Sequence, residues 1–388
     1  MTESYRAGRY VKQIEGYRAF IPQPLPPDPA ITMDDEFWML LSQADRSLGR
    51  LDGATEALPN PDLFVFMYVR KEAVLSSQIE GTQASLIDVL EFESQTLKPE
   101  NPQDVEEVVN YIDAVNYGLK RLESLPISLR LIREIHEKLL AGVRGAEREP
   151  GQFRRSQNWI GPSGCTLQKA TYVPPPPHEM TALLQNLEQF IHSTQPMPAL
   201  IKIGLAHSQF ETIHPFLDGN GRAGRLLITF LLCQQGILKY PLLYLSYYFK
   251  QHRSEYYSQL QRVRDVGDWE SWLKFFLRGV YEVAQEASTT ARNIVAMKES
   301  HRQLLLDKLG TRKAGNAIAL LESMYFKPIF SVEHVESVTG LSYTNANRLI
   351  KDLCDVELLI EITGQKRNRA FAYAEYLDVF RDEADMDR

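Results

Sequence analysis

Residues 214–225 constrain the fold of this chain more than any other segment. Their sequence is His-Pro-Phe-Leu-Asp-Gly-Asn-Gly-Arg-Ala-Gly-Arg, with an apolar stretch on each side, at 200–213 and 226–233. The apolar stretches predict two helices, and the glycines around Asn220 predict the turn between them. Glycine at the start of a helix leaves backbone N–H groups accessible at the positive end of the helix dipole. The turn is therefore expected to bind an anion.

The charged side chains of this segment indicate which anion it binds. Arg222 and Arg225 lie three residues apart, so they share one side of the first helical turn. Both guanidinium groups can donate paired hydrogen bonds to a polyphosphate. Asp218 would repel that anion unless a divalent cation lies between them, and Mg²⁺ bound by one carboxylate and phosphate oxygens meets this requirement. His214, at the end of the incoming helix, is placed to accept a proton beside the phosphates.

The run resembles the signature of the Fic family, His-x-Phe-x-Asp/Glu-Gly-Asn-Gly-Arg-x-x-Arg, at every specified position. The resemblance implies a protein adenylyltransferase that moves AMP from ATP, the co-substrate, to a Ser, Thr or Tyr hydroxyl of a target protein. It implies that His214 is the catalytic base and that Asp218 binds the Mg²⁺ cofactor. The turn would hold the α-phosphate, Arg222 the β-phosphate and Arg225 the γ-phosphate. The resemblance assigns ATP binding to Gly219, Asn220, Gly221, Arg222, Ala223, Gly224, Arg225, Tyr256 and Tyr257.

Residues 76–81, Ser-Ser-Gln-Ile-Glu-Gly, resemble the inhibitory motif of the same family, Ser/Thr-x-x-x-Glu-Gly/Asn. The motif begins at Ser76, ends at Gly81 and lies upstream of the signature, as in the family's intramolecular class. The helix dipole does not favour a carboxylate at a helix C-terminus, so Glu80 is expected to pair with Arg225. That pair would withhold Arg225 from the γ-phosphate. Ser76 is expected to orient Glu80 through a hydrogen bond.

Tyr256 and Tyr257 form an aromatic pair downstream of the signature. In the family a Tyr-Tyr pair at this place contacts the nucleoside, and an aromatic face with a phenol suits adenine and ribose. Helix packing is the alternative for either tyrosine. His207 lies seven residues before His214, on the same face of the incoming helix. We expect a packing role for His207, with a metal site formed by His207, His214 and Asp218 as the alternative.

Composition places the chain among ordinary globular enzymes. Its formal net charge is −7, with 44% apolar and 24% charged residues, so there is no overall attraction to nucleic acid. Cys165, Cys233 and Cys354 lie far apart and predict neither a disulfide framework nor a metal site, which suits a reducing compartment. The first ten residues lack an apolar signal core, and no apolar run reaches membrane-spanning length. We therefore expect a cytoplasmic protein without membrane contact.

The predicted fold class is mainly α: a Fic-type helical bundle with a small β-hairpin flap and a C-terminal winged helix-turn-helix. We expect an N-terminal segment with the inhibitory helix at 1–100, the Fic catalytic core at 101–309 and the winged-helix-like domain at 310–388. Prolines between 22 and 29 predict that residues 1–35 are irregular. Apolar periodicity predicts helices at 61–79, 85–97, 104–122, 128–140, 179–192, 199–213, 222–235, 254–263 and 269–300.

Residues 151–178 interrupt the helical pattern. Two short strands are predicted at 152–154 and 170–173, around the turn-forming residues 161–164. The segment resembles the family's β-hairpin flap, which pairs with an extended segment of the target protein and presents its hydroxyl to the site. Strand addition holds a peptide with little demand on its sequence. A surface hairpin without function is the alternative.

The tail predicts a winged helix-turn-helix. Helices at 331–339 and 343–356 flank a short turn, and strands at 358–362 and 370–373 enclose a basic tip at 364–369. Basic side chains there could meet DNA phosphates, although neighbouring carboxylates dilute the charge. A protein-docking or dimerisation module is the alternative. The basic side chains are Arg348, Lys351, Lys366, Arg367 and Arg369.

Two other functions stay open on the sequence alone. The chain could be a nucleotide-sensing transcription regulator whose core only binds ATP. It could also transfer a phosphoryl group or another nucleotide, because the turn does not fix which phosphate is attacked. The presence of Asp218, Arg222 and Arg225 together favours attack at the α-phosphate. The sequence does not identify the target protein, the modified residue type, self-modification, AMP removal or a homodimer.

Overall fold

The protein is built mainly from helices, as the sequence predicts. The computed structural model describes residues 6–56, 60–95, 99–162, 164–365 and 368–381. Its helices are α1 (Asp35–Glu56), α2 (Asp62–Ile79), α3 (Leu86–Ser94), α4 (Pro102–Leu122), α5 (Leu129–Leu139), α6 (Pro177–His192), α7 (Ala199–Ile213), α8 (Asn220–Gln234), α9 (Ser246–Gln251), α10 (Arg253–Val266), α11 (Trp269–Met324), α12 (Val332–Thr339), α13 (Tyr343–Asp355) and α14 (Ala374–Asp378). Its strands are β1 (Gly8–Lys12), β2 (Arg18–Pro22), β3 (Ile329–Ser331), β4 (Ile360–Glu361) and β5 (Ala370–Ala372).

The helices follow the predicted pattern with two kinds of difference. α1 and α9 are additional to the predicted segments, and α11 continues far beyond residue 300. α11 is broken at Gly310, where φ of 70° leaves the right-handed helical region. The predicted start of α3 is correct: the Ser85 hydroxyl accepts from the Asp88 N–H at 3.1 Å, and the Asp88 carboxylate accepts from the Ser85 N–H at 2.7 Å.

α7 and α8 lie at the centre of the molecule. Nearly every side chain of both helices is buried, because a helix that is apolar on all sides packs against neighbours on all sides. α7 contacts α6, α10 and α11, and α8 contacts α2, α4 and α5. The loop between them is therefore held by two rigid, enclosed elements. None of the helices formed by the described residues combines the length and the apolar run that crossing a bilayer demands.

The N-terminal region contains a β-hairpin, so the prediction that 1–35 is irregular is wrong there. β1 and β2 pair antiparallel with Tyr10 opposite Phe20, and the two rings are in edge contact at 5.1 Å. Phe20 is buried, and its N–H donates to the Val173 carbonyl at 2.9 Å. Most of the prolines follow β2 and end the hairpin without preventing it.

Residues 151–173 do not form the predicted hairpin. In their described part only Ile160 and Tyr172 pair, through one isolated antiparallel bridge. The predicted first strand does not form because Arg154 is buried and its backbone N–H donates to the Pro215 carbonyl at 2.9 Å. The segment is thus attached to the loop between α7 and α8.

The C-terminal segment contains the expected elements in the expected order, together with β3 and α14, which were not predicted. α12 and α13 pack on each other and on α11, and the antiparallel sheet has the order β3-β5-β4. Arg369 pairs with Glu361 at 3.5 Å. Lys366 and Arg367 of the expected basic tip, and Ser163 of the expected flap turn, lie outside the described residues. The winged-helix assignment, DNA binding and the three-domain division stay predictions.

Gly118 gives a test of the packing between α4 and α8. A methyl group at this position would overlap the buried Phe230 ring. We expect Gly118→Ala to lower the free energy of unfolding by about 1–3 kcal/mol, as overpacking a core does. Gly49→Ala is the matched control, because Gly49 lies in α1 with open space around its Cβ position and should gain up to about 1 kcal/mol. Urea unfolding measures both, and equal effects would contradict the packing.

Candidate functional site

The signature loop, defined as residues 214–219, joins the ends of α7 and α8. His214 adopts the left-handed conformation, with φ 49° and ψ 62°, while its N–H still donates to the Phe210 carbonyl at 2.9 Å. Gly219 is also left-handed, at φ 73°, and precedes the first residue of α8. A left-handed residue other than glycine is strained, and such residues concentrate at functional sites. The predicted helix–turn–helix is thus present, with the strain at the predicted base.

Asn220 braces this loop from inside. Its side-chain oxygen accepts from the Phe216 N–H at 2.8 Å, and its side-chain nitrogen donates to the Phe216 carbonyl at 2.8 Å. The side chain is buried. The expected contact of Asn220 with a phosphate therefore depends on its backbone N–H, because the amide group is already committed.

Arg154 and Asn158 clamp the loop from outside, a role that the sequence did not indicate. Arg154 Nε donates to the His214 carbonyl at 2.9 Å, and Nη2 donates to the Pro175 carbonyl at 2.6 Å. Asn158 donates from Nδ2 to the Phe216 carbonyl at 2.8 Å. Burial lowers the pKa of Arg154 to about 10, so the side chain stays charged at neutral pH. Backbone carbonyls outside helices and sheets still need hydrogen-bond donors, and Arg154 and Asn158 supply them to this loop.

His136 of α5 supports the loop from below and was also missed. Its ring lies 3.6 Å from the Phe216 ring at an angle of 2°, a stacked contact. The Gly151 N–H donates to Nδ1 at 2.9 Å, so Nε2 carries the hydrogen and donates to the Asp218 carbonyl at 2.9 Å. Burial lowers the pKa of His136 to about 4, which keeps the ring neutral. The only sequence signal was a histidine on the buried face of an amphipathic helix.

His214, the predicted base, is nearly enclosed: its side chain is 18% exposed. Burial, with Arg264 and Arg154 nearby, lowers its pKa to about 3. The ring is therefore unprotonated at neutral pH and can accept a proton. Glu211, one turn earlier in α7, has Oε2 at 4.0 Å from His214 Nδ1.

Asp218 is the half-exposed carboxylate of the loop, with 42% of its side chain accessible. Its Oδ1 accepts from the Gly219 N–H at 2.6 Å and lies 3.9 Å from Arg222. Within the described part of the chain no three His, Cys, Asp or Glu side chains are grouped as a metal site. Mg²⁺ is commonly held by one carboxylate together with phosphate and water oxygens. The exposed Asp218 carboxylate fits a cation that arrives with a nucleotide.

Glu80 and Arg225 form the predicted ion pair, with 2.7 Å between Glu80 Oε1 and Arg225 Nη2. Arg225 also donates from Nε to Ser76 Oγ at 2.8 Å and from Nη2 to the Ser76 carbonyl at 2.9 Å. Ser76 therefore binds Arg225, and the hydrogen bond that we expected from Ser76 to Glu80 is replaced by this contact. The guanidinium is fixed from two sides by one helix end.

The Glu80 carboxylate lies on the predicted anion site. It is in contact with the backbone of Gly221, where any side chain would overlap it. Burial alone would raise the pKa of Glu80, but Arg225 and Arg222 outweigh it and the pKa is lowered. Glu80 is thus ionised at neutral pH, and its negative charge lies where the start of α8 favours an anion.

Arg222 pairs with Glu107 of α4, which the sequence did not single out. Nη1 donates to Glu107 Oε2 at 3.1 Å, and both side chains are buried. Arg144 approaches the other oxygen of Glu107 at 3.2 Å. Burial raises the pKa of Glu107, although both arginines oppose the shift. Nε of Arg222 has no partner among the described residues, which leaves one donor for a ligand.

Glu72 anchors α2 to α4 and α9. It accepts from the Tyr111 hydroxyl at 3.2 Å, from the Ser246 N–H at 3.1 Å and from the Ser246 hydroxyl. Burial raises its pKa to about 7. Glu72, Ser76 and Glu80 recur every four residues, so they share one face of α2. That spacing was visible in the sequence, but the partners were not.

His207 packs inside the molecule, as expected. Its Nδ1 donates to the Gly224 carbonyl at 2.9 Å, and the Tyr256 hydroxyl donates to Nε2 at 3.0 Å, so both nitrogens are engaged. Tyr256 is buried and stacks on Phe249 at 4.4 Å. Tyr257 is 42% exposed. Tyr256 is thus a packing residue, and the Tyr257 ring is accessible. The contact of this pair with a nucleoside stays a prediction.

Two protein-family models match the chain. The Fic/DOC family N-terminal region matches residues 38–120 and therefore includes Ser76, Glu80 and Gly81. The Fic/DOC family domain matches residues 126–232 and therefore includes the whole run 214–225. The two matches fall on the two motifs that the sequence singled out.

Among curated relatives, the chain is 35% identical over 156 residues to the Drosophila grimshawi protein named protein adenylyltransferase Fic, covering 40% of this chain and 29% of the relative. It is 36% identical over 151 residues to the Aedes aegypti protein of the same name, covering 38% and 27%. The chain spans less than a third of the length of these two relatives.

Solved structures share the fold. A Fic family protein from Desulfovibrio desulfuricans G20 aligns with a TM-score of 0.57 and 19% identity, over 89% of this chain and 97% of that chain. A fragment of Fic-1 from C. elegans aligns with a TM-score of 0.50 and 22% identity, over 68% and 74%. At these identities the likeness concerns the arrangement of helices.

The neutral ring of His207 links stability to pH. Burial lowers its pKa to about 3, whereas an unfolded histidine titrates near about 6.5. The stability that it contributes is present above about pH 6.5 and is lost as the pH falls towards 3. Between about pH 6 and 4, His207→Gln should therefore reduce the slope of unfolding free energy against pH by up to about 1.4 kcal/mol per unit. Urea unfolding at several pH values measures this slope.

The matched control is His178→Gln, which removes an exposed imidazole on α6 and should leave the slope unchanged. An unchanged slope in His207→Gln would mean that the folded protein accepts a proton at this ring.

Proposed function

Because this chain carries the Fic/DOC family N-terminal region and the Fic/DOC family domain, we propose that it is a protein adenylyltransferase. One observation carries the proposal: His214, in the left-handed conformation at the end of α7, lies beside a glycine-bracketed helix start that also bears Arg222 and Arg225. Relatives that share this domain carry the name protein adenylyltransferase Fic.

In the proposed reaction, the hydroxyl oxygen of a target Ser, Thr or Tyr attacks the α-phosphorus of ATP. The new P–O bond forms as the bond to the pyrophosphate oxygen breaks, so AMP joins the protein and pyrophosphate leaves. The hydroxyl proton passes to Nε2 of His214. Burial lowers the pKa of the ring, so the ring is neutral before the reaction and has a lone pair for that proton. Arg154 and Asn158 fix the backbone around His214 and thereby the direction of its ring.

The phosphates are held by charge and positioning, which phosphoryl-group chemistry needs more than covalent help. Backbone N–H groups at residues 219–221 face the α-phosphate at the positive end of α8. Arg222 and Arg225 neutralise the β- and γ-phosphates. Mg²⁺ held by Asp218 would supply further neutralisation when it arrives with ATP.

The proposal includes self-inhibition. Glu80 occupies the contact of Arg225 with the γ-phosphate and places a negative charge against Gly221. ATP must displace this carboxylate, or bind without its terminal phosphate held by Arg225. The resting chain is therefore expected to be slow, with its own glutamate as the competing anion.

Target docking is proposed at residues 151–178. Trp159 and Ile160 are exposed apolar side chains in this segment, next to Asn158, which bonds to the signature loop. An extended target segment that lies over them would reach His214 with its hydroxyl. Strand addition beside the Ile160–Tyr172 bridge needs main-chain contacts only, so the target's sequence is weakly specified.

Labelled nucleotides test the reaction type. The protein is incubated with Mg²⁺, a mixture of candidate target proteins and ATP that is labelled at either the α- or the γ-phosphate. Label that enters protein from α-labelled ATP alone supports AMP transfer. Transfer from the γ-label alone indicates phosphorylation. Nucleotide binding without transfer of either label would contradict the enzyme and favour a nucleotide sensor.

Removal of the inhibitory carboxylate should release activity. We expect Glu80→Gly to raise AMP incorporation at least about tenfold, since 1.4 kcal/mol of relieved competition at Arg225 already gives that factor. Glu123→Gly makes the same substitution at the exposed C-terminal end of α4 and should change nothing. Initial rates of α-label transfer measure both variants. Equal rates in Glu80→Gly and the wild type would remove the inhibitory role.

Removal of the base should abolish chemistry and spare binding. In the Glu80→Gly background, His214→Ala should lower the rate of AMP transfer by about 10² to 10⁴-fold, the contribution of a general base. Calorimetric binding of ATP with Mg²⁺ should remain, because phosphate contacts come from α8. A rate close to that of the parent variant would assign the base to another group.

A further inference from the structure

Two buried polar atoms beside the proposed base lack hydrogen-bond partners among the described residues: Oε1 of Glu211 and Nδ1 of His214. They belong to side chains one helical turn apart at the end of α7. Glu211 Oε2 lies 4.0 Å from His214 Nδ1, just beyond a hydrogen bond. Buried polar groups are rarely left unpaired. Oε1 lies against Gly224, so Oε2 is the carboxylate oxygen that approaches the unpaired Nδ1, and their separation indicates a contact that forms at another stage.

The surroundings of Glu211 hold its carboxylate close to His214. Arg264 donates from Nη2 to the Glu211 carbonyl at 3.2 Å and so fixes the backbone. The carboxylate lies against Gly224, where a Cβ atom would overlap it. The signature does not specify the residue at position 224. Glycine there leaves room for the Glu211 carboxylate, which a larger residue would displace.

We propose that Glu211 is a positioning residue for His214: its carboxylate accepts a hydrogen bond from Nδ1–H while Nε2 takes the proton of the target hydroxyl. The inference rests on the proposed function and deepens it. The bond fixes the tautomer with a free Nε2 lone pair and turns the ring towards the incoming hydroxyl. The proton ends on Nε2, and the Glu211 carboxylate remains ionised.

Charge balance around the ring gives Glu211 this role. His214 becomes a cation when it accepts the proton, and Arg264 and Arg154 oppose that charge. Of the carboxylates that face the ring, Glu80 pairs with Arg225 and must leave before ATP is held productively. Glu211 is the carboxylate that stays. Burial raises its pKa to about 7, with Glu80 in the same direction and Arg225 and Arg264 against it.

Kinetics of Glu211→Gln test the proposal in the Glu80→Gly background. Glutamine keeps the size and an accepting oxygen but removes the charge, so we expect kcat to fall at least about tenfold with KM for ATP nearly unchanged. In the parent variant kcat should fall in acid as Glu211 becomes protonated, at a lower pH than in the wild type, because Glu80 raises the pKa of Glu211 and is absent there. This acidic limb should disappear in Glu211→Gln. A full kcat with the parent's pH profile would overturn the proposal.

A structural role is separated by two further variants. Glu211→Asp keeps the charge on a shorter side chain and should restore part of kcat and the acidic limb, whereas Glu211→Leu should restore neither. Urea unfolding checks that all three variants fold. If kcat follows the free energy of unfolding and not the presence of the charge, Glu211 is a packing residue and the proposal fails.

The His214 ring itself can be observed without activity. ¹⁵N NMR of histidine-labelled protein, with the His214 signals assigned through His214→Ala, reports which nitrogen carries the hydrogen. We expect the Nδ1–H form in the Glu80→Gly parent and a mixture of tautomers in Glu211→Gln. The same spectrum in both would overturn the inference even if AMP is transferred. An Nδ1–H form that depends on Glu211, in a protein that transfers no label, would support the inference while the proposed reaction fails.

Discussion

The start of α8 concentrates positive charge in a buried place, and the rest of the site exists to balance it. A helix N-terminus and two buried arginines cannot be left without anions, because an unpaired buried charge is costly. Glu80 forms an ion pair with Arg225, with 2.7 Å between the carboxylate oxygen and the guanidinium nitrogen, and Glu107 forms one with Arg222 at 3.1 Å. The chain therefore meets its own electrostatic demand with carboxylates. In the proposed function a nucleotide would have to replace part of that set, so the proposed inhibition would follow from the same ion pairs that stabilise the fold.

α2 connects this balance to distant parts of the molecule. Its C-terminal end carries Ser76 and Glu80, which together enclose Arg225. Its middle is tied to α9 by Glu72, and its N-terminal half contacts the tail, with the Tyr68 ring 5.7 Å from Phe380. One helix thus carries Glu80, the proposed inhibitory carboxylate, at one end and contacts the C-terminal segment near the other. Displacement of α2 along its axis would change both contacts together.

The sequence predicted what is local and missed what is brought from afar. The helix–turn–helix around the signature followed from short-range pattern. The Glu80–Arg225 pair, between residues 145 apart, is the exception, and it was expected because residues 76–81 resemble an inhibitory motif. Arg154, His136 and Glu107 could not be recognised, because each acts through a partner more than fifty residues away. The strands predicted at 152–154 and 170–173 do not form for the same reason: their residues favour strands, but Arg154 is buried and bonds to the signature loop instead. Propensity is a weak guide where a tertiary contact competes.

The three buried histidines of the site explain why only one of them is suited to catalysis. His136, His207 and His214 are all kept neutral mainly by burial, so a neutral ring alone does not distinguish a base. The distinction lies in the second nitrogen. In His136 and in His207, both ring nitrogens form hydrogen bonds with protein groups. Protonation of either ring would break one of these hydrogen bonds. His214 has an uncommitted Nδ1 on a strained residue, so it can gain a proton at one nitrogen and a partner at the other. Hydrogen-bond vacancy, and not the pKa, is what singles it out.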